Sequence, residues 1–104
     1  MATSEEYIDF VCGQLADTDG VRYKKMFGEY MVYVSDRPVL TVCDNTVYVK
    51  KLPELSALMQ GAPCGFPYDG AREHYILDIE NRGLAAQAID ILVQATPLPK
   101  KRGR

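Results

Sequence analysis

The sequence lacks tryptophan, has a single histidine and three cysteines, and contains no long uninterrupted hydrophobic run. Because a transmembrane helix needs about 20 consecutive apolar residues, we expect no membrane-spanning helix and no membrane partner. The N-terminal stretch MATSEEYIDF is acidic and lacks the basic and apolar segments of a secretory signal peptide. These absences together predict a cytoplasmic protein.

The cysteines offer little for a disulfide or a metal site. Cys12, Cys43 and Cys64 are odd in number and widely spaced, which is typical of reduced thiols. Zinc ligands usually come in close pairs such as C-x2-C, and these three cysteines with His74 show no such spacing. We therefore predict neither a disulfide nor a bound metal.

The sequence also lacks the short motifs of common catalytic sites. It has no G-x-S-x-G, no G-x-x-x-x-G-K-[ST], no G-x-G-x-x-G and no H-E-x-x-H. Cys64 and His74 are the best available nucleophile and base, but nothing in the sequence places them within reach of each other. We predict a protein without catalytic residues or cofactors, and a small cysteine-dependent enzyme is the least favoured alternative.

Basic residues are unevenly distributed in a chain whose formal net charge is −2. Four of them fall in the last five positions: Lys100, Lys101, Arg102 and Arg104. Five of the other eight are Arg22, Lys24, Lys25, Lys50 and Lys51, which form the one basic concentration in the rest of the sequence. One interpretation is a solvated sheet face or edge whose lysines discourage strand addition. The other is a contact site for an anion, an acidic partner or nucleic acid, although an acidic body disfavours binding of nucleic acid by the whole domain.

The pattern of apolar residues predicts one domain over residues 1–96 and a flexible basic tail over 97–104. A capping box at Thr3 and Glu6 starts a helix over residues 4–16, and residues 21–50 read as a four-stranded meander with connections at 35–38 and 44–45. A short helix over 53–61, a loop pinned by Phe66 and Tyr68, a strand over 73–79 and a helix capped by Asn81 follow. This order predicts an α+β fold with an antiparallel sheet of about five strands packed against helices.

The stretch KKMFGEYMVYV holds the sharpest local feature, a glycine between two predicted strands. Gly28 breaks the alternation and can adopt a positive φ angle, so Met26 and Phe27 can turn into the core before Tyr30 starts the next strand. A phosphate-binding loop needs amides that converge at a helix N-terminus, whereas a strand follows here. We interpret Met26, Phe27, Gly28, Glu29 and Tyr30 as a structural corner.

This stretch, with VLTVCDNTVYVKK and GFPYDGAREHYILDI, resembles the N-terminal domain of the TfoX/Sxy family of bacterial competence regulators. The resemblance runs from about Tyr7 to Ala95, and its most specific element is the corner at residues 26–30. Longer members of that family add a C-terminal helical domain, so the resemblance implies a single-domain member.

The resemblance implies a small α+β domain without catalytic residues that takes part in transcriptional or competence-type regulation through protein contacts. Full-length members are thought to act with the cyclic-AMP receptor protein at promoters. The seven tyrosines favour a homodimer, because tyrosine is frequent at interfaces. The alternative is a protein that associates with nucleic acid, weakly or indirectly, through Arg22, Lys24, Lys25 and the tail.

Overall fold

The computed structural model describes residues 3–16, 18–26 and 29–97 of the chain. Within these residues the fold is α+β, with six strands in one open antiparallel sheet and two α-helices packed on it. The strands are β1 (Val21–Met26), β2 (Glu29–Val34), β3 (Arg37–Cys43), β4 (Thr46–Lys50), β5 (Cys64–Gly65) and β6 (His74–Ile76), and the helices are α1 (Glu5–Gln14) and α2 (Arg82–Ala95). The strand order is β1-β2-β3-β4-β6-β5. The predicted α+β class with an antiparallel sheet is confirmed. No helix in the described ranges is long and apolar enough to cross a membrane.

Two-residue turns join β2 to β3 and β3 to β4. Ser35 and Asp36 form the first turn, Asp44 and Asn45 form the second, and all four have positive φ angles. Positive φ at both central residues is the geometry of a type I′ turn, whose twist matches that of the strands it joins. The predicted connection between β3 and β4 is confirmed. The connection between β2 and β3 is shorter than predicted, because its last two residues already belong to β3.

The hydrophobic core lies on one face of the sheet, beneath both helices. Alternate residues of the central strands point into it, and the register places Val32 opposite Leu40 and Val42 opposite Val47. The helices, with Leu15 directly after α1, bury apolar side chains in the same cluster: Ile8, Val11, Leu15, Ala85, Ala88, Ile89 and Leu92. Because both helices pack on this side, neither of them covers the opposite face of the sheet.

Of the two predicted helix N-caps, the one of α2 is confirmed and the one of α1 is not. The hydroxyl of Ser4 caps α1 by accepting a hydrogen bond from the Tyr7 amide at 3.1 Å. The predicted capping box of Thr3 and Glu6 is therefore wrong, and Thr3 is buried instead. The last helix starts as predicted, since the side chain of Asn81 accepts a hydrogen bond from the third amide of α2 at 3.1 Å.

The helix predicted over residues 53–61 is wrong. The chain makes one 3₁₀ turn at Pro53–Leu55 and then a series of turns. Most of its backbone hydrogen bonds join residues three apart, as from the Ser56 amide to the Pro53 carbonyl at 3.1 Å, so a regular α-helix does not form. Leu55 and Met59 are nevertheless buried, as their apolar spacing predicts.

The sheet has one strand more than the predicted five. Cys64–Gly65, which the sequence places in a loop, pairs with β6 as a two-residue edge strand. The strand predicted over 73–79 is shorter, because only three of its residues pair with neighbours. Leu77 and Ile79, which follow it, are still buried in the core.

Candidate functional site

The sheet face opposite the helices carries a continuous row of side chains across five strands. The register pairs Lys24 with Met31, Met31 with Thr41, Thr41 with Tyr48 and Tyr48 with Ile76. Directly paired residues share a face, and neighbours along a strand alternate between faces. This row therefore lies opposite the core, and we call its side of the sheet the outer face.

The loop over residues 66–73, between β5 and β6, encloses a cleft with the outer face. One part of the cleft, about 590 Å³ in volume, is lined mainly by apolar groups from Met26, Met31, Cys43, Pro67 and Tyr68. The other part, about 690 Å³, is lined by the charged and polar residues Lys50, Lys51, Arg72, Glu73 and His74. Met31, Thr41 and Tyr68 line both parts. We call the whole the outer cleft, with an apolar half and a basic half.

Cys43 lines the apolar half and, as a residue, is only 4% exposed. Burial, with smaller contributions from the carboxylates of Glu29 and Asp44, raises the pKa of its thiol to about 11. Since the thiolate and not the thiol is the nucleophile, Cys43 is protonated near neutral pH. It presents a small neutral surface to the cleft.

The carboxylate of Glu29 connects the N-terminal segment to the turn between β3 and β4. Its Oε1 accepts hydrogen bonds from the Thr3 amide at 3.2 Å, the Thr3 hydroxyl at 2.7 Å and the Asp44 amide at 3.1 Å. The Asn45 amide donates to the Thr3 hydroxyl at 3.2 Å, which extends the network. Glu29 therefore has a structural role at the rim of the cleft.

The structure describes three residues of the predicted corner, Met26, Glu29 and Tyr30. Met26 and Glu29 are paired at the ends of β1 and β2. Met26 shares the face of Lys24 by period two and borders the outer cleft, so the prediction that it turns into the core is wrong. The buried Tyr30 packs edge-on against the Tyr23 ring at 5.4 Å between centroids. Outside the described residues lie Phe27, Gly28, Lys100, Lys101, Arg102 and Arg104. The centre of the corner and the contacts of the basic tail stay predictions.

In the basic half, Lys51 is held by its neighbours. Its Nζ lies 3.0 Å from Glu73 Oε1 and 5.2 Å from the centre of the Tyr75 ring. The hydrogen bond to Glu73 raises the pKa of Lys51, so this side chain stays cationic at neutral pH. Its charge is already engaged within the protein.

The other two cations of the basic half, Lys50 and Arg72, are not paired within the described residues. Lys50 lies opposite His74 in the register, and His74 Nδ1 lies 2.7 Å from the Arg72 carbonyl oxygen. Because a carbonyl oxygen only accepts, we assign the proton to Nδ1, which donates this bond. In the part of the chain that the structure describes, the side chains of Lys50 and Arg72 have no hydrogen-bond or ion-pair partner.

The structure does not bring Cys64 and His74 together. Cys64 pairs with Tyr75 and His74 pairs with Gly65, so alternation along β5 and β6 directs their side chains to opposite faces of the sheet. The Cys64 thiol contacts the Ala62 carbonyl instead, at 3.7 Å. Across residues 3–16, 18–26 and 29–97, no three His, Cys, Asp or Glu side chains are grouped to hold a metal ion.

The three thiols are expected to react in an order set by burial. Cys64 is exposed, Cys12 is half-buried and Cys43 is buried. With a pKa of about 11, Cys43 has a thiolate fraction about 100-fold below that of an unperturbed thiol. We expect a disulfide reagent to label Cys64 first and Cys43 only when the protein unfolds, as mass spectrometry of timed samples will show. Cys64→Ser is expected to remove the fast phase, and rapid labelling of Cys43 in the folded protein would contradict the assignment.

The basic residues predicted on β1 do not join the basic half of the cleft. Arg22 binds Asp36 at 3.1 Å and lies 4.9 Å above the centre of the Tyr33 ring. Lys24 is on the outer face, whereas Lys25 is on the opposite side of the same edge strand. Since β1 lies three strand spacings, or about 14 Å, from β4, the predicted basic residues form two separate groups.

The sequence did not reveal the apolar half or the exposed loop aromatics. Phe66 and Tyr68 are predicted to pin their loop, but they are 61% and 64% exposed, so this prediction is wrong. Met31 and Thr41 occupy outward positions of a period-two pattern, which is the signal that could have marked them. No local pattern indicates that Pro67 and Tyr68 meet them across the cleft.

Comparison with known proteins gives one informative relative. A protein of Spirochaeta aurantia, described as an uncharacterized 12.7 kDa protein in the trpE 5′ region, is 32% identical over 104 residues. The match covers 98% of this chain and 90% of the relative. No family model matches the chain, and no solved structure matches it.

Proposed function

The chain belongs to the same family as the 12.7 kDa protein of Spirochaeta aurantia, and we propose that it is a non-catalytic protein-interaction domain of the TfoX N-terminal type. Its role is in bacterial transcriptional or competence-type regulation. The antiparallel meander supports this proposal, as do the structural positions of Glu29 and Tyr30 within the motif that carries the resemblance. The opposite faces of Cys64 and His74 favour a binding role over catalysis.

The observation that carries the proposal is the exposure of two aromatic rings on one loop. Phe66 and Tyr68 are 61% and 64% exposed and lie two residues apart on the loop between β5 and β6, where Tyr68 also lines the outer cleft. Exposed aromatic side chains are enriched where proteins bind each other, because a ring buries a large area at low entropic cost. The partner surface in this proposal is the loop over residues 66–73, and a second copy of the chain is one partner that fits it.

A capture experiment with matched variants tests the proposal. The purified protein is used as bait in a lysate of its own cells, beside Phe66→Ser/Tyr68→Ser and a control, Phe10→Ser. Phe10 is also an exposed aromatic residue but lies on α1. We expect a defined protein to be retained by the wild type and the control and reduced about tenfold by the double variant, since aromatic residues dominate binding energy at interfaces. Sedimentation at high micromolar concentration tests the homodimer.

Three results would count against the proposal. Equal capture by the double variant and the wild type would remove the loop from the interface. A monomer mass together with no captured protein would remove both the homodimer and the heterologous partner. Capture that disappears with nuclease or raised salt would favour binding of nucleic acid through Lys24, Lys25 and the tail. Arg22, the third basic residue of that alternative, already pairs with Asp36.

A further inference from the structure

The outer cleft joins an apolar compartment and a cationic compartment through shared walls. Met31, Thr41 and Tyr68 line both halves, so one molecule can contact both. We propose that the outer cleft is a binding site for a small amphiphilic carboxylate, with its apolar group in the apolar half and its carboxylate at Lys50 and Arg72. This ligand site shares Tyr68 and Arg72 with the proposed partner surface, but its ligand is a small molecule, so it can be tested without any protein partner.

The apolar half suits an aromatic ring or a short hydrocarbon chain. Its volume of about 590 Å³ lies within the range of about 300–1,000 Å³ that is usual for ligand pockets. Met26 and Met31 supply flexible, polarizable walls that adapt to irregular apolar groups, and Tyr68 supplies an aromatic surface. The protonated Cys43 adds no charge there. The ligand group that belongs in this half is therefore uncharged and apolar.

The basic half selects a negative charge for the other end of the ligand. Lys51 is already bound to Glu73, whereas Lys50 and Arg72 have no partner among the described residues. An arginine side chain binds a carboxylate through two parallel hydrogen bonds, and a lysine adds a point charge. Unengaged cations at the end of a cleft in a chain of net negative charge favour an anion over a cation or a neutral group.

Glu29 fixes the direction in which such a ligand lies. Its carboxylate borders the apolar half, where it repels another anion, while Lys50 and Arg72 attract the anion to the opposite half. Because the three hydrogen bonds to Glu29 Oε1 hold this side chain in place, the repulsion is a permanent feature of the site. The carboxylate of the ligand therefore points away from Glu29.

Titration of the purified chain with matched small molecules tests the ligand class. The probes are phenylbutyrate, indoleacetate and octanoate, with phenylbutyramide as the neutral analogue and acetate as the charge without the apolar group. Amide chemical shifts in ¹H–¹⁵N spectra report both the affinity and the position. We expect at least one carboxylate to saturate shifts at Met31, Thr41 and Lys50. The amide analogue should bind about tenfold more weakly, since it lacks the charge-assisted hydrogen bonds, and acetate should not saturate.

Variants separate this site from general attraction to positive charge. Lys50→Gln and Arg72→Gln are each expected to weaken the carboxylate several-fold and to leave the amide analogue unchanged, whereas Tyr68→Ala weakens both. Lys24→Gln removes the same charge from the same face, on an edge strand about 14 Å from the strand that carries Lys50, and is expected to change the binding of neither probe. Any one of four results would overturn the proposal. The carboxylate and its amide analogue could bind equally well, or Lys24→Gln could weaken the carboxylate as much as Lys50→Gln does. The shifted amides could map outside the cleft, or no carboxylate could saturate at millimolar concentration.

Discussion

Replacing Leu40 with alanine is expected to lower the free energy of unfolding by about 3 kcal/mol, the usual cost of truncating a fully buried leucine. Leu40 is completely buried and lies opposite Val32 in the centre of the sheet. Truncation removes apolar contacts and leaves a cavity that a sheet held between paired strands cannot readily close. For a domain of this size the loss corresponds to a fall in melting temperature of about 15 °C, which thermal and urea unfolding monitored by circular dichroism will measure.

Met31→Ala is the matched control, because it truncates a comparable apolar side chain on the neighbouring strand but on the outer face. Met31 is only half-buried and borders the cleft, so we expect a loss of about 1 kcal/mol from the smaller apolar area involved. The difference between the two variants measures how unequal the two faces of the sheet are. If Met31→Ala were as costly as Leu40→Ala, the outer face would be packed as tightly as the core. Met31 would then not border an open ligand site.

The parts of the fold that the sequence predicted well depend on local signals. The apolar alternation of β2 and β4 and the Asp44 and Asn45 turn each act within a few residues, and Asn81 caps α2 as its side chain permits. The β5 strand depends instead on its pairing with β6, in which Cys64 pairs with Tyr75 and Gly65 with His74. A two-residue strand that ends in glycine has no periodicity to detect. A Cβ at Gly65 would lie 3.3 Å from both Tyr48 and Ile76, a constraint visible only in the folded sheet.

The candidate site likewise divides into residues marked by local sequence signals and residues brought together by tertiary packing. Lys50 and Lys51 were recognised from charge, but charge does not show that Lys51 is engaged by Glu73, 22 residues later, while Lys50 is not. Tyr68 and Met31 meet because a loop returns across the outer face. That return is a property of tertiary packing, which overrides local preference. The sequence therefore predicted two of the three cations of the basic half, missing Arg72, and did not indicate that the residues of the apolar half line one cleft.

Glu29→Ala is expected to lower the free energy of unfolding by about 2 kcal/mol, since hydrogen bonds to a charged group contribute more than neutral ones and their donors lose a partner. The variant removes the acceptor shared by the Thr3 amide, the Thr3 hydroxyl and the Asp44 amide. Urea unfolding measures the loss. The amide signals of Thr3 and Asp44 should shift in ¹H–¹⁵N spectra of the folded variant, because both amides then bind water.

Glu73→Ala is the control for Glu29→Ala, since it removes a carboxylate that also borders the outer cleft. The ion pair of Glu73 with Lys51 is largely exposed to solvent, and such pairs contribute about 0–1 kcal/mol. A double-mutant cycle of Glu29→Ala with Thr3→Ala should show a coupling of about 1 kcal/mol, because the two residues share hydrogen bonds. If Glu29→Ala left stability unchanged or increased it, these hydrogen bonds would not stabilise the fold or fix the side chain. The structural role of Glu29, and the fixed repulsion from which the orientation of the ligand was inferred, would then both be wrong.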